Sequence, residues 1–317
     1  MAALATAVFA SCSNEDGLPQ SNYPADNVVR ITTSVDGMNT RASYGGSTAK
    51  LSSFGFCINN AGSDKYTYDN IKVTQENGKW NPATQMLWQN STTAVDILAY
   101  APYQANGNVK IFGKSDYAFS VKADQSNAED YSSDLIVYKQ TGFKPGTELN
   151  TSKAVDVTFT HLLSQLNLTI ELRDQFNQDE KKPVTEATVT DVKVNGTIIS
   201  SKVDFSASPI SVQVDDTQEA TAITPETTEF KAAGKTTDHA AFNYSAIVIP
   251  QTVTAGNFSI SFKVNGTDYI WTATSDVKFV SGNKHQLSLL VGKDVVQVKG
   301  ITATPWGKET IIEKETD

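Results

Sequence analysis

Hydrophobic and polar residues alternate along this chain in short segments that are bounded by Gly, Asn, Asp and Pro. This period of two is typical of half-buried β-strands, whereas the 3.6-residue period of amphipathic helices is scarce. The pattern predicts strands at 28–35, 55–59, 71–75, 94–99, 134–138, 154–159, 165–172, 188–194, 245–249, 258–264, 267–272, 285–291 and 295–298. We therefore expect an all-β fold.

The connections between these strands carry their own signals. Asn-Gly pairs at 195–196 and 265–266 tolerate the left-handed backbone of a tight turn, so each predicts a hairpin. Residues 161–164, His-Leu-Leu-Ser, are expected to form a single helical turn. Residues 206–240 are rich in Thr, Glu, Asp and Ala and are expected to form a long loop or an excursion at a sheet edge.

The length of 317 residues allows two domains of about 150 residues each. The segment 139–150 contains Gly and Pro and interrupts the pattern between two strong strands, so we expect it to connect two domains. The predicted division is a tether at 1–21, an N-terminal β-sandwich domain at 22–150 and a C-terminal β-sandwich domain at 151–317. Each half contains enough strands for a sandwich of two sheets.

The charge of the chain restricts its partners. A net charge of -9 and a pI near 4.9 argue against nucleic acid as a partner, because phosphate binding requires clustered Lys and Arg. No apolar segment after Cys12 approaches the length of about 18 residues that a membrane helix needs. Any attachment to a membrane is therefore expected to depend on a lipid.

Candidate catalytic chemistry is absent from the sequence. His161, His239 and His285 lie far apart and on different predicted elements, which does not fit a metal site. Neither a Gly-x-Ser-x-Gly motif nor a phosphate-binding Gly-x-x-x-x-Gly-Lys motif occurs. We therefore predict no catalytic residue, no bound metal and no cofactor.

The N-terminal segment is apolar at 4–11 and ends in small residues before Cys12, with Glu15 and Asp16 close behind. This arrangement resembles a bacterial lipoprotein signal, in which the cysteine becomes the lipidated first residue of the mature chain. The resemblance predicts lipidation of Cys12 and an anchor in the outer membrane. The alternative is a frayed N-terminus with a cysteine in this position by chance.

Further motifs occur in a fixed order along the chain. They are Asn39-Thr40-Arg41-Ala42, Trp80 and Trp88 followed by 96–103, Ser133-Asp134-Leu135-Ile136, 157–166, Ile247-Val248-Ile249-Pro250-Gln251, and Ile301 to Trp306. In this order and spacing they resemble the fimbrillin family, the pilin-like lipoproteins of Bacteroidales. The resemblance implies two transthyretin-like β-sandwich domains in tandem. It also implies assembly with other fimbrial subunits at the cell surface, and no enzymatic activity.

The first predicted strand is a candidate for removal. Its apolar face carries Val29, Ile31, Thr33 and Val35. Cleavage between Arg41 and Ala42 by a trypsin-like, Arg-specific protease would free this strand. The sandwich would then have an apolar groove with unpaired backbone groups, which another strand could fill.

The C-terminus contains a candidate for the replacement strand. Its apolar positions are Val296 and Val298, then Ile301 and Ala303, and Gly300 at the change of parity predicts a bulge or a joint. We expect residues 295–312 to enter the groove that residues 27–36 vacate in a neighbouring subunit. The alternative is that these C-terminal residues complete the sandwich of their own subunit.

Two functions follow from this interpretation. The first is a structural subunit of a fimbria that supports cell adhesion. The alternative is a monomeric surface lipoprotein or fimbrial tip that binds a host glycan or protein, with an aromatic platform of Trp80, Trp88, Tyr100 and Tyr103. The same aromatic residues could instead fill the core, which is the more common role of such side chains.

Overall fold

The computed structural model describes residues 22–36, 50–105, 107, 110–177, 183–235 and 238–306. Nearly all of their regular structure is β, which confirms the prediction of an all-β fold. The strands of these residues are, in chain order, β1 (Ile31–Val35), β2 (Ser53–Asn59), β3 (Tyr68–Glu76), β4 (Lys79–Pro82), β5 (Val95–Ala101), β6 (Tyr117–Ser120), β7 (Ile136–Phe143), β8 (Val155–His161), β9 (Ser164–Leu172), β10 (Val189–Asn195), β11 (Ser200–Asp204), β12 (Ser211–Val214), β13 (Glu226–Lys231), β14 (Ala240–Val248), β15 (Thr252–Val253), β16 (Ser259–Val264), β17 (Thr267–Thr272), β18 (Val277–Lys278), β19 (Asn283–Val291) and β20 (Val296–Pro305).

The helical elements among these residues are short. One turn of α-helix, α1, covers Pro145–Glu148, and single 3-10 turns cover Asp64–Tyr66, Asp174–Phe176 and Glu186–Thr188. No helix in the described part of the chain has the length and hydropathy required to cross a lipid bilayer.

Seven strands form the first sheet, in the order β1-β8-β7-β5-β2-β3-β4. Strand β8 lies between β1, to which it is parallel, and β7, to which it is antiparallel. The segment 139–150 thus covers the end of β7 and the connection to β8, and these two strands are neighbours in one sheet. The division of the chain at residue 150 stays a prediction, but residues 155–161 belong with the N-terminal strands.

Five strands form the second large sheet, in the order β13-β14-β9-β19-β20. Strands β9 and β19 are parallel and the other pairs are antiparallel, with β20 at one edge. Smaller sheets combine β10-β16-β17, β12-β11-β6 and β15-β18. Because β6 joins β11 from the other half of the chain, the two halves share a sheet as well as a core.

The central strands β2 and β5 of the first sheet are buried on both faces. Side chains on a strand alternate between faces, so Ile97 and Leu98 of β5 enter different cores. Ile97 packs in a cluster with Phe54 and Phe159, whose rings lie 5.4 Å apart. Leu98 packs in a second cluster that continues into the C-terminal half through residues such as Leu168. This double burial explains why β5 reads as an almost continuous apolar run.

The two Asn-Gly pairs have different outcomes. At 265–266 the hairpin is confirmed, because Val264 pairs with Thr267 and both turn residues have positive φ, 50° and 83°. At 195–196 the hairpin prediction is wrong, because β10 pairs with β16 rather than with the next strand in the chain. The local turn signal is the same in both places, and the distant partner of β10 decides between them.

Two other local predictions are corrected. Residues 161–164 do not form a helical turn, because β8 ends at His161 and β9 begins at Ser164. The stretch 206–240 is not a single loop, since it contains β12 and β13. Strand β13 is the outer neighbour of β14, which agrees with the expectation of an excursion at a sheet edge.

Gly196 and Gly266 offer a matched test of this packing. Both have positive φ, but a Cβ on Gly196 would lie 2.0 Å from the carbonyl oxygen of Asn257, whereas no atom lies within 4 Å of one on Gly266. We expect Gly266→Ala to lower the free energy of unfolding by about 1–2 kcal/mol and Gly196→Ala by roughly 2–5 kcal/mol. Urea unfolding followed by circular dichroism measures both values. Equal losses would contradict the close approach of the chain at Gly196.

Candidate functional site in the two edge strands

Strand β1 lies at the edge of the first sheet and covers its core. Residues 31–35 pair in register with residues 155–159 of β8, and the ladder is extended by hydrogen bonds from Val155 N to Arg30 O and from Asp36 N to Phe159 O, both 2.8 Å. Val29, Ile31 and Val35 are buried, with exposed fractions of 2%, 7% and 6%. Residues 27–36 are thus packed against the sandwich, as their alternating pattern predicts.

Thr33 shares this face but is only half-buried. Its Oγ1 is shielded from solvent and forms no hydrogen bond with the described residues. A hydroxyl in this state weakens the packing of a strand relative to an aliphatic side chain. Of the four positions predicted for the apolar face, Val29, Ile31 and Val35 therefore bury aliphatic groups, and Thr33 contributes little to the stability of the packed strand.

A groove separates β1 from β4. Its volume is about 750 Å³, and its lining includes Ile31, Thr33 and Trp80. At one end the chain bridges the groove, because Val29 N donates to Met86 O at 3.0 Å and Trp88 N donates to Asn27 O at 2.8 Å. Outside that bridge, β1 has β8 as its only ladder partner in the described residues, so its other edge is open.

An ion pair holds the chain just before β1. The guanidinium of Arg30 donates to both carboxylate oxygens of Asp26, at 2.6 and 3.1 Å. These hydrogen bonds, aided by one from Val28 N, lower the pKa of Asp26 to about 2. Because both side chains are largely exposed, the pair contributes little to stability.

Strand β20 lies at the edge of the five-stranded sheet, antiparallel to β19. Ser288 pairs with Gly300 and Leu289 pairs with Val298, so Lys299 is the extra residue of a β-bulge. The bulge predicted at Gly300 is confirmed. In this structure the C-terminal strand folds back on its own subunit.

The side chains of β20 bury little surface. Val298 and Ile301 remain 47% and 44% exposed, and Ala303 is also exposed. Val296 and Thr304 are half-buried, and of these two Val296 packs against the core. Strand β20 therefore completes the hydrogen bonding of its sheet without filling its core, in contrast to β1.

Polar contacts hold β20 across β19. Lys299 Nζ lies 3.0 and 2.8 Å from the two carboxylate oxygens of Glu171 on β9, and His239 Nδ1 lies 3.3 Å from the same carboxylate. Burial opposes the ionisation of Glu171, but the hydrogen bonds from Lys299 and His239 outweigh it and lower the pKa of the carboxyl group below its usual 4.5.

The residue that follows β20 is buried. Trp306 is 7% exposed and its ring stacks on the imidazole of His161, with centroids 3.8 Å apart and planes within 3°. His161 Nδ1 lies 2.9 Å from Asp134 Oδ1, and both side chains are fully buried. No local pattern in the sequence connects these three residues, although each lies inside one of the motifs described above.

The four aromatic residues proposed as a glycan platform do not form one surface. Trp88 is buried and stacks on Phe143, and Tyr100 is fully buried and donates a hydrogen bond to Asn70 at 2.7 Å. Trp80 lines the groove beside β1, and Tyr103 lies near Lys72. Trp88 and Tyr100 therefore serve the core.

The remaining sequence-based sites lie elsewhere. Cys12, Arg41 and Ala42 are outside the described residues. Among the residues that are described, no group of three or more His, Cys, Asp or Glu side chains is arranged to hold a metal ion.

The architecture is similar to that of solved β-sandwich proteins from Bacteroides species. A candidate cell adhesion protein from Bacteroides ovatus has a TM-score of 0.62 with 12% identity, over 89% of this chain and 98% of that one. A second, from Bacteroides uniformis, has a TM-score of 0.55 with 19% identity, over 89% and 99% of the two chains. A fimbrial protein from Bacteroides vulgatus has a TM-score of 0.53 with 16% identity, over 87% and 99%. At these identities the likeness shows a shared fold.

The sequence itself defines the family. Residues 40–306 match the fimbrillin-like family, and the chain belongs to it. This match confirms the resemblance that the ordered motifs carry. No curated protein matches the chain. Membership of this family supports a fimbrial role at the cell surface.

The ion pair of Glu171 predicts an acid-sensitive contribution from β20. Because the folded-state pKa of Glu171 is lowered, the contact with Lys299 stabilises the fold at neutral pH and is lost as the pH falls below about 4.5. We expect Glu171→Gln to cost about 0.5–1 kcal/mol at pH 7 and almost nothing at pH 3, measured by urea unfolding.

Glu229→Gln is the control for this experiment. Glu229 forms an exposed ion pair with Lys231 on β13, away from β20. We expect no measurable loss for this variant at either pH. A loss for Glu171→Gln that is the same at pH 3 and pH 7 would show that the carboxylate charge does not stabilise β20.

Proposed function

We propose that this chain is a structural subunit of a surface fimbria and that its subunits join by strand exchange. After an Arg-specific protease cleaves between Arg41 and Ala42, residues 27–36 leave the sandwich. Residues 295–312 of another subunit then enter the vacated groove. The observation that carries the proposal is the contrast between the two edge strands: β1 buries its apolar face and β20 exposes its own.

The acceptor side of the proposal depends on what β1 covers. Val29, Ile31 and Val35 each stabilise the sandwich by about 1.5–3 kcal/mol through burial. Without them, apolar residues of the core such as Phe159 would face water, and the N–H and C=O groups of β8 would lose their ladder partners. A replacement strand restores both kinds of interaction.

The donor side depends on what β20 lacks. Val298 and Ile301 remain partly exposed to water on their own subunit. In an acceptor groove they would lose contact with water, so the exchange would bury apolar surface that the monomer leaves exposed. This difference supplies a driving force for polymerisation.

The wider setting of the proposal is a lipid-anchored precursor. Lipidation of Cys12 would tether the chain to the outer membrane before assembly with other fimbrial subunits. The polymer would support cell adhesion through subunits that contact a host surface. The burial of Trp88 and Tyr100 gives no support to the alternative of a monomeric glycan-binding adhesin. Membership of the fimbrillin-like family supports a structural subunit without enzymatic activity.

Cleavage at Arg41 can be tested directly. Incubation with an Arg-specific protease is expected to convert the purified monomer into a ladder of polymers on a denaturing gel without boiling. Arg41→Lys should block the ladder, whereas Arg173→Lys, which leaves the proposed cleavage site intact, should not. Persistent monomer after complete cleavage at Arg41 would refute strand exchange and leave the monomeric adhesin.

Ile301 offers a test of the donor strand that does not disturb the monomer. Because Ile301 is 44% exposed, Ile301→Asp should change the free energy of unfolding by no more than about 0.5 kcal/mol. In an acceptor groove the same carboxylate would be buried without a partner, so polymerisation after cleavage should be lost.

Ile270→Asp is the matched control. Ile270 lies on β17, outside the proposed donor strand, and is 62% exposed. This variant should polymerise as the unmodified chain does. Normal polymerisation of Ile301→Asp would show that β20 does not enter a neighbouring subunit.

A further inference from the structure

Strand β20 is attached to its own subunit at its end. Its side chains are largely exposed, but the backbone N–H of Trp306 donates to Gly282 O at 2.7 Å and its indole ring is buried. One face of the ring lies on His161, and Lys284 Nζ lies 5.8 Å from the ring centroid. Trp306 therefore provides the main apolar contact at the end of an otherwise exposed strand.

The socket for this ring belongs to the first sheet. His161 is the last residue of β8, and its imidazole is held by the carboxylate of Asp134. The adjoining backbone is also held, because Leu162 N donates to Leu135 O at 3.0 Å and Ser281 Oγ donates to Leu162 O at 2.6 Å. The end of the C-terminal strand is thus fastened to the sheet that contains β1.

Strand β8 connects this socket to β1. Along residues 155–159 the ladder partner of β8 is β1, whereas β7 pairs with β8 only at residues 160 and 161. Val35 of β1 pairs with Phe159, two residues before the His161 ring on which Trp306 lies. Loss of β1 would therefore remove the ladder along residues 155–159 of β8, while the pairing of residues 160 and 161 with β7 and the contact of His161 with Asp134 would remain.

We propose that Trp306 is a clasp that keeps the C-terminal strand on its own subunit for as long as β1 holds β8 in place. This inference rests on the proposed strand exchange and describes how the exchange is regulated. Removal of β1 opens the acceptor groove and also loosens the donor strand of the same subunit. An uncleaved subunit keeps its donor strand closed and does not polymerise prematurely.

Hydrogen exchange of the uncleaved full-length chain tests the clasp without any polymer. In Trp306→Ala the amides of 296–304 should exchange at least about tenfold faster than in the unmodified chain, while peptides from β2 and β5 keep their protection. Trp306→Phe, which retains a ring for stacking, should exchange nearly as slowly as the unmodified chain.

Trp80→Ala is the matched control. Trp80 contacts Phe54 at a centroid distance of 5.0 Å and lies on β4, away from β20. Its loss should leave exchange in β20 unchanged. If Trp306→Ala does not fold, Trp306→Leu, which keeps an apolar group without a ring, should give an intermediate rate. If β20 is as well protected in Trp306→Ala as in the unmodified chain, or in Trp306→Leu where Trp306→Ala does not fold, the clasp is overturned.

The connection to β1 is tested in the cleaved chain, kept dilute so that it remains monomeric. Once residues up to Arg41 have left, the amides of 296–304 should exchange about as fast as in uncleaved Trp306→Ala. Full protection of β20 in the cleaved monomer would overturn the connection between β1 and the clasp.

Failure of the clasp and failure of strand exchange give different results. Rapid exchange in β20 of Trp306→Ala without polymers after cleavage would leave the clasp and refute strand exchange. If β20 stays fully protected in Trp306→Ala and the cleaved chain still polymerises, the clasp is refuted and strand exchange is retained.

Discussion

The N–H and C=O groups at the edge of a sheet must find partners, and this requirement governs both ends of the chain. Strand β1 supplies hydrogen-bond partners for β8 at one edge of the first sheet, and strand β20 supplies them for β19 at one edge of the second. The two strands differ in what lies beneath them, since β1 covers a core and β20 exposes Val298 and Ile301. Hydrogen bonding alone is common to both strands, so burial of apolar side chains distinguishes a strand that completes the fold from one that only extends it.

Strand β8 is the structural link between these edges. It receives β1 along most of its length and carries His161 at its end, against which Trp306 packs. The His161 imidazole under the Trp306 ring is oriented by Asp134, so the stacking geometry depends on the position of both residues. Strand β1 and Trp306, the residue that follows β20, therefore contact the same strand of the first sheet.

The two cores explain why the halves of the chain are not separate bodies. Residues on opposite faces of β5 enter different clusters, and the second cluster continues into the C-terminal strands. A side-chain period of two is enough to produce this arrangement when both faces of a sheet are covered. The break in the pattern at 139–150 marks the end of β7. It does not indicate which sheet the chain enters next.

The amino-acid sequence by itself determined the all-β class, most of the longer strands, the hairpin at 265–266 and the alternating faces of β1 and β20, because these follow from local periodicity and turn chemistry. Its ordered motifs also indicated the fimbrillin-like family. Only the tertiary structure decided that residues 195–196 do not form a hairpin, that β8 joins β1, and that Trp306 packs on His161 beside Asp134. These contacts join residues far apart in the chain, and no local pattern encodes which distant partner a strand or a ring will find.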